Sequence, residues 1–247
     1  MPVFTSTAPY YDALASKAGR IERERPLLLR LLREAPGGNV LELACGTGLH
    51  ALLLAEAGAT VLATDLSADM IDYARRVRPH PHITYRVGDM RRIEGGPCDW
   101  ALCLGNSLSL IATEADLDTV FSGLRAALCP NALCFVQLLN YAAPSAQQPR
   151  HRIERATVDG APVIAVKNLV PDGAHTLLNL SFFVGAGSGR TSVSETAVLR
   201  NWTADEISGV AAGQGFSVRE TFGSFDGSPY DPANAPDLLI LFVRKAA

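Results

Sequence analysis

The sequence of 247 residues has no excess of positive charge, because 22 basic residues stand against 25 acidic ones and the formal net charge is −3. This balance argues against the basic surface that binds nucleic acid or an anionic membrane. Charge or glycine interrupts every apolar run well before about 18 residues, so no membrane-spanning helix is predicted. The amino-terminal segment lacks a basic start followed by an apolar core, so we predict no signal peptide.

Cysteine is scarce and shows no pattern. The five cysteines form no C-x-x-C pair, and the five histidines are scattered. We therefore predict reduced and mostly buried thiols, a cytoplasmic protein and no metal site. His80 and His82 are interpreted as part of a loop. The sequence also lacks a recognisable Ser-His-Asp or Cys-His arrangement for nucleophilic catalysis.

What the chain does contain is an alternation of predicted strands and helices. The predicted strands are 39–44, 60–64, 82–87, 99–104, 132–139, 216–221 and 237–243. The predicted helices are 12–34, 49–57, 68–78, 114–128 and 203–212, with Ser67 and Thr203 as N-caps. This alternation predicts an α/β fold, with a doubly wound, mostly parallel, Rossmann-like sheet of seven strands. Such sheets bind ligands at the carboxyl ends of their strands.

Between residues 150 and 200 the pattern changes to consecutive strand-like segments separated by turns rich in glycine and aspartate. This predicts a small antiparallel β insertion. The expected organisation is an N-terminal helical lid at 1–38, a cofactor-binding core at 39–145 and 201–247, and a β insert at 146–200 that covers the substrate site.

The stretch "VLELACGTGLH" fits G-x-G-x-x-A, a variant of the dinucleotide fingerprint, from Gly46 onwards. Glu42 lies four residues before Gly46, near the tip of the predicted strand. A carboxylate there would repel a pyrophosphate and favour an ammonium, a sulfonium or ribose hydroxyls. The alternative is that Glu42 only pairs with a basic residue such as Arg20 or Arg23.

Two further acids follow the next two predicted strands. Asp65 stands where a carboxylate accepts both hydroxyls of an adenosine ribose, although it is alternatively a helix cap. Asp89 stands where a carboxylate accepts the amine of adenine, although it is alternatively a turn residue. Together with Glu42, these acids predict a site for adenosine attached to a group that is not strongly anionic. S-adenosylmethionine fits this description better than NAD.

At these motifs the sequence resembles the class I S-adenosylmethionine-dependent methyltransferases, in the branch of glycine and sarcosine N-methyltransferases. The motifs are "LELACGTG", "VLATDLSADMIDYARR" and "VGDM". The resemblance implies S-adenosyl-L-methionine as cofactor and S-adenosyl-L-homocysteine as product. The residues that it implies for cofactor binding are Tyr11 (or its neighbour Tyr10), Arg20, Glu42, Ala44, Gly46, Asp65, Leu66, Met70, Asp89, Met90 and Leu104.

For catalysis we predict Asn106 and Tyr230, with Asn106 orienting a polar group of the substrate. The predicted substrate-binding residues are Asn106, Asn140, Tyr141, Arg200 and Tyr230. Asn106 alternatively satisfies only loop backbone, and Tyr230 alternatively only packs.

One position departs from the glycine N-methyltransferase pattern. That family has an arginine immediately before the Asn-Tyr pair after the fifth strand, where it recognises the carboxylate of the substrate, and Leu139 stands there in this chain. A carboxylate left unpaired in a closed site is costly. Glycine is therefore not the expected substrate unless Arg150, Arg152 or Arg200 compensates. Leu139 alternatively faces the core.

The expected function is transfer of a methyl group from S-adenosylmethionine to a nitrogen or oxygen of a small molecule, by in-line displacement. The alternatives are a non-catalytic module that binds an adenosyl cofactor and an NAD-dependent oxidoreductase. No nucleic-acid or membrane partner is expected. A homo-oligomer is an open expectation, since related proteins often pair or tetramerise.

Overall fold

The computed structural model describes residues 7–17 and 19–246. Two helices come first, α1 (Ala8–Lys17) and α2 (Arg20–Glu34). The predicted single helix 12–34 is therefore wrong in two respects: helix begins earlier, and it is divided near Gly19. Gly19 has φ 59°. This left-handed conformation ends a right-handed helix and suits glycine, which has no Cβ.

The main sheet has seven strands in the order β10-β11-β5-β4-β1-β2-β3. Strands β1 to β5 run parallel to one another, while β11 pairs antiparallel with both β5 and β10. The predicted fold class is confirmed. The strands are β1 (Asn39–Leu43), β2 (Thr60–Asp65), β3 (Ile83–Val87), β4 (Cys98–Cys103), β5 (Leu128–Leu139), β10 (Phe216–Phe222) and β11 (Asp237–Arg244).

The remaining helices are α3 (Leu49–Glu56), α4 (Ala68–Val77), α5 (Glu114–Ala127) and α6 (Ala204–Gly213). Both predicted caps are confirmed. The Ser67 hydroxyl accepts from the backbone N–H of Met70, and Thr203 forms a capping box with Glu206.

The boundary between α5 and β5 differs from the prediction. The fifth strand begins at Leu128, four residues before the predicted start at 132. Pro130 explains the early end of the helix, because proline disfavours helical conformation in the residue before it and cannot donate a helical hydrogen bond.

The core lies on both faces of the main sheet, because successive side chains of a strand point to opposite faces. Val40 and Trp100 pack with α2, α3 and α4 on one face, whereas Leu41 and Ala101 pack with α5 and α6 on the other. Glu42 follows the alternation of Val40. Its side chain therefore points towards α2 and α3, although it is a carboxylate within an apolar strand.

A second sheet has four antiparallel strands in the order β6-β7-β8-β9. They are β6 (Arg150–Val158), β7 (Ala161–Asp172), β8 (His175–Val184) and β9 (Thr191–Arg200). This sheet is the predicted antiparallel β insertion. Helix α1 packs on it through Tyr10, Tyr11 and Leu14, and the rings of Tyr10 and Phe182 lie 5.7 Å apart.

No described helix is long and apolar enough to cross a membrane. Within residues 7–17 and 19–246, no group of side chains has the composition of a metal site. All five cysteines are free, and four of them are buried. Burial raises the pKa of the Cys45 and Cys134 thiols, which keeps both protonated.

Candidate functional site

The carboxyl ends of the parallel strands meet at one edge of the main sheet. Strand β1 lies between β2 and β4. The chain therefore continues from β1 to β2 and β3 on one side of β1, and then crosses to β4 and β5 on the other side. Ligands of open α/β sheets bind in the crevice at such a switch point. The loops that follow β1, β2, β3 and β4 all border this crevice.

The loop after β1 is shaped by three left-handed residues, Ala44 (φ 53°), Gly46 (φ 55°) and Gly48 (φ 80°). A Cβ added at Gly48 would lie 2.5 Å from the hydroxyl oxygen of Tyr85, so Gly48 is needed for packing. A Cβ added at Gly46 would meet nothing within 4 Å. Gly46 therefore leaves open space where a ligand can approach the backbone closely.

Asp65 fastens this loop to the end of β2. Its Oδ2 accepts from the backbone N–H of Gly46 at 2.9 Å, and its Oδ1 accepts from the backbone N–H of Ser67 at 2.9 Å. Burial raises the pKa of Asp65 although these N–H groups favour its charged form. The cap of α4 is Ser67, so the alternative of Asp65 as that cap is wrong.

A cavity of about 560 Å³ opens beside the glycine loop. It brings together eight of the eleven residues predicted for the cofactor, which come from α1, the loop after β1, the end of β2 with the loop and helix α4 that follow it, and the loop after β3. They are Tyr11, Ala44, Gly46, Asp65, Leu66, Met70, Asp89 and Met90.

A narrow extension of about 40 Å³ adjoins this cavity at Tyr11, Ala44 and Gly46. It is also lined by Arg20 and Leu104. Ten of the eleven predicted cofactor residues therefore line these two neighbouring cavities. The eleventh, Glu42, lies beneath the loop and is 1% exposed.

Asp89 lies at the rim of the cavity and pairs with Arg91 at 2.6 Å. Hydrogen bonding to Arg91 holds the pKa of Asp89 below its usual range. The Asp89 carboxylate also accepts from the backbone N–H of Arg91 at 2.9 Å. Asp89 is thus a turn residue that also lines the cavity, and its contact with adenine stays a prediction.

Glu42 belongs to a buried chain of ionisable side chains. Arg20 Nε lies 2.8 Å from Glu24 Oε1, Glu24 Oε2 lies 2.5 Å from His50 Nε2, and His50 Nδ1 lies 3.4 Å from Glu42 Oε1. The alternative in which Glu42 pairs with Arg20 or Arg23 is not observed, since its described ion-pair partner is His50. Glu42 Oε2 is buried without a hydrogen-bond partner among the described residues. An orphaned buried carboxylate oxygen indicates a missing donor.

The protonation of His50 follows from its two carboxylate neighbours. Burial disfavours the imidazolium, but hydrogen bonds to Glu24 and Glu42 outweigh burial and raise the pKa of His50. Burial likewise opposes the charged form of Glu24, but contacts with His50 and Arg20 lower the pKa of Glu24 overall. A protonated His50 lets positive and negative charges alternate along the chain.

Helix α1 is tied to the glycine loop by Asp12. Its Oδ1 accepts from the Thr47 hydroxyl at 2.7 Å and lies 2.8 Å from the guanidinium of Arg78. Arg78 also donates to the Thr47 carbonyl at 2.9 Å. These contacts place Tyr11 against the cavity.

Asn106 lies at the entrance to a second set of cavities, but its amide is already engaged. Its Nδ2 donates to the Tyr141 hydroxyl at 2.8 Å, and its Oδ1 accepts from Leu139 N–H at 2.8 Å and from the Ser109 hydroxyl at 3.0 Å. These bonds fix the loop after β4. Tyr141 is correspondingly buried, at 4% exposure.

The structure places Tyr230, Asn140 and Arg200 away from this space. The Tyr230 hydroxyl donates to Asn140 Oδ1 at 2.9 Å, and the amide of Asn140 donates to the carbonyls of Pro232 and Ala235. Arg200 pairs with Glu206 at 2.9 Å and stacks on Trp202. The described lining of the cavities beside Asn106 contains none of the three, so the structure does not join Tyr230 to Asn106 as predicted.

The space beside Asn106 consists of a cavity of about 260 Å³ under the second sheet and a wider one of about 840 Å³. Leu139 lines both, so it does not simply face the core. Lys167 also lines both, and Arg152 lines the smaller one. Of the three arginines considered as substitutes for the missing cation, only Arg152 reaches these described cavities.

Sequence analysis missed Gln137, His50 and Lys167. Gln137 Oε1 accepts from the backbone N–H groups of Gly105 and Asn106 at 2.7 and 3.1 Å, and its Nε2 donates to Asp237 at 2.8 Å. Two signals were available. Gln137 and Lys167 are each a polar residue within an apolar run, and His50 is a polar residue directly after the glycine loop.

The chain is similar to proteins of known activity. Residues 40–131 match the family described as a methyltransferase domain. The dTDP-3-amino-3,6-dideoxy-alpha-D-glucopyranose N,N-dimethyltransferase of Streptomyces fradiae is 28% identical over 218 residues, which cover 85% of this chain and 84% of that protein. The glycine/sarcosine N-methyltransferase of Parasynechococcus marenigrum is 30% identical over 136 residues, which cover 53% of this chain and 48% of that protein.

Among solved structures, the sugar N-methyltransferase KedS8 from Streptoalloteichus has the same fold, with a TM-score of 0.79 at 20% identity, over 96% of this chain and 93% of that one. The chain is an S-adenosylmethionine-dependent methyltransferase. The methyltransferase uses S-adenosylmethionine as its cofactor, so the G-x-G-x-x-A match does not indicate NAD.

The residues present fit this cofactor. The orphaned oxygen of Glu42 calls for a donor, and the open space at Gly46 admits a ligand to the backbone. A carboxylate at the end of β2 suits ribose hydroxyls. The narrow extension beside Arg20 offers a cation to a carboxylate.

The two glycines of the loop give a matched pair of variants. Gly46→Ala places a methyl group in the space proposed for the cofactor, so affinity for S-adenosylhomocysteine is expected to fall by about tenfold or more. The substitution also strains the left-handed backbone by about 1–2 kcal/mol. Gly48→Ala meets Tyr85 and is expected to lower the free energy of unfolding by about 1–3 kcal/mol more than Gly46→Ala does. Calorimetric titration and urea unfolding measure the two effects. If Gly46→Ala binds S-adenosylhomocysteine as tightly as the wild type does, the assignment of the space at Gly46 to the cofactor is contradicted.

The His50 chain predicts a pH dependence of stability. Because the pKa of His50 is raised in the folded protein, its contribution is fully present below its unfolded pKa of about 6.5 and is lost as the pH rises through the folded value. His50→Gln is expected to lower the free energy of unfolding by about 3 kcal/mol near pH 6 and by less near pH 9. Urea unfolding at both pH values measures this difference. The exposed His82→Gln is the control, and an equal loss at both pH values would contradict the assignment.

Proposed function

We propose that the chain transfers the methyl group of S-adenosylmethionine to an amine of a small molecule. The observation that carries the proposal is the cavity of about 260 Å³ between α1, the loop after β4 and the second sheet. It adjoins the cofactor cavity at Tyr11, Ser107 and Leu110, which line both. A small acceptor held there meets the cofactor without reaching through solvent.

The cofactor contacts implied by the family resemblance are part of this proposal. Asp65 accepts the ribose hydroxyls, and Leu66 and Met70 pack on the adenine, which Asp89 and Met90 border. Arg20 binds the carboxylate of the amino-acid end. Glu42 accepts at that end directly or through water, and Ala44, Gly46 and Leu104 contribute backbone groups. Tyr11 closes over the site.

The chemistry divides simply between cofactor and protein. The bound sulfonium supplies an activated methyl group, and an attacking amine must be neutral. The protein must orient the amine opposite the sulfur and exclude water. Seven leucines in the described wall of the smaller cavity favour a desolvated, neutral amine: Leu14, Leu110, Leu139, Leu169, Leu178, Leu180 and Leu199.

Asn106 is a positioning residue in this proposal, because its amide fixes the loop that separates the two spaces. Tyr141 acts on the same loop through Asn106. Tyr230, Asn140 and Arg200 have no role at the reacting atoms, since they hold other loops. Leu139 offers no cation to the carboxylate of glycine, so glycine is an expected acceptor only if Arg152, which lines the cavity, compensates.

The similar proteins support nitrogen as the methylated atom, although they differ in substrate. Their names specify an amino sugar, glycine or sarcosine, and the N-terminus of cypemycin. Two further relatives are named as a magnesium-protoporphyrin O-methyltransferase and a demethylmenaquinone methyltransferase, but the match covers only about two fifths of each of those proteins. A reducing compartment such as the cytoplasm suits the five free cysteines. Homo-oligomerisation stays a prediction.

Labelled methyl transfer tests the proposal. The purified protein is incubated with methyl-labelled S-adenosylmethionine and a panel of amino sugars, amino acids, peptide amines, phenols and carboxylic acids. Label is expected in an amine, and not with Asp65→Ala, which lacks the ribose contact. Transfer only to phenols or acids would contradict the choice of nitrogen. Cofactor binding without any transfer would favour the non-catalytic alternative.

A further inference from the structure

A lysine interrupts the apolar wall of the acceptor cavity. Side chains at alternate positions of β7 face the same side of the second sheet, and Val163, Ala165 and Leu169 are buried there. Lys167 occupies the same side, is exposed and lines both the smaller and the wider cavity. An ammonium group in a wall that is otherwise largely apolar offers a charged donor to an anionic group of a ligand.

The ammonium group of Lys167 makes no hydrogen bond or ion pair with the residues that the structure describes. Arg152 lies opposite it on β6, in register. Partial desolvation by the surrounding cavity walls lowers the pKa of Lys167, and the positive charges of Arg20, Arg152 and Arg150 lower it further, against an opposing effect of Glu154.

The neighbouring carboxylates do not neutralise this positive region. Glu154 pairs with Arg152 at 2.6 Å, and Glu24 pairs with Arg20 at 2.8 Å. Arg150 has its Nε buried without a partner among the described residues. Lys167 thus gives the wall one positive charge that no described carboxylate pairs with, and an anion would satisfy it.

We propose that Lys167, with Arg152 across the strand pair, forms an anion subsite that binds a phosphoryl or carboxylate group of the acceptor. This deepens the proposed function and rests on it for the identity of the bound molecule. The subsite replaces, from the second sheet, the cation that Leu139 does not provide at the end of β5. It makes Lys167 a specificity-determining residue.

The cavities give the subsite a position relative to the reacting amine. Lys167, Arg20, Asn106 and Leu139 line both the smaller and the wider cavity. The amine lies on the cofactor side, near Tyr11, and the anionic group lies where the two cavities join. The wider cavity extends to Arg30 and leaves room for whatever the anionic group carries beyond it.

Anion binding to the protein saturated with S-adenosylhomocysteine tests the subsite without turnover. Inorganic pyrophosphate and succinate are titrated separately by calorimetry at low salt, and the wild type is expected to bind at least one of them. Lys167→Met is expected to weaken that binding by about tenfold or more, whereas Lys167→Arg retains most of it. Lys245→Met, which removes the same charge outside the cavities, is the control. The anion that binds distinguishes a phosphoryl from a carboxylate acceptor.

Binding of neither anion by the wild type, or binding by Lys167→Met as tight as that of the wild type, would overturn the subsite. Unchanged affinity of Lys167→Met for S-adenosylhomocysteine shows that the variant is folded. If it does not fold, Arg152→Gln takes its place and is expected to weaken anion binding. Because this titration needs no methyl transfer, anion binding without transfer to any amine contradicts only the proposed function. Transfer to an amine without anion binding contradicts only the subsite.

Discussion

The buried chain from Arg20 through Glu24 and His50 to Glu42 is the interaction on which the site depends. It joins α2, α3 and β1 beneath the glycine loop, at distances of 2.8, 2.5 and 3.4 Å. Burying charges is unfavourable unless they are paired, and the alternating signs pair each charge with its neighbour. One end of the series is the guanidinium of Arg20 beside the narrow extension, and the other is the carboxylate of Glu42, whose Oε2 has no described partner. A cation and a carboxylate oxygen without a donor are the groups that suit an amino-acid group.

The neighbouring helices, loops and second sheet enclose this series of ionisable side chains. Asp12 fixes α1 to the glycine loop through Thr47, and the second sheet packs on α1. The loop after β4 is held from two sides, by Gln137 at its backbone and by Asn106 at its own side chain. The cavities that we propose for cofactor and acceptor are therefore bounded by hydrogen-bonded loops and share Tyr11, and in-line transfer requires such neighbouring sites.

Much of the fold was predictable, because its signals are local. Apolar runs such as 39–44 give the strands, and Ser67 and Thr203 give helix starts. The residues that line the cavity beside the glycine loop were predictable because glycine and acids at strand ends meet at one edge of a parallel sheet. The partner of Glu42 was not, since His50 reaches it only through the packing of α3 on β1. Tyr230 was misplaced for the same reason: its loop is held by Asn140, a contact between distant parts of the chain.

The central claim is that Glu42 selects the amino-acid end of S-adenosylmethionine over a pyrophosphate at the glycine loop. The most direct measurement is a calorimetric titration of the wild type and of Glu42→Gln with S-adenosylhomocysteine and with NADH. The wild type is expected to bind S-adenosylhomocysteine and not NADH, and Glu42→Gln is expected to weaken the binding of S-adenosylhomocysteine by about tenfold. Unchanged affinity of Glu42→Gln, or tight binding of NADH alone by the wild type, would contradict it.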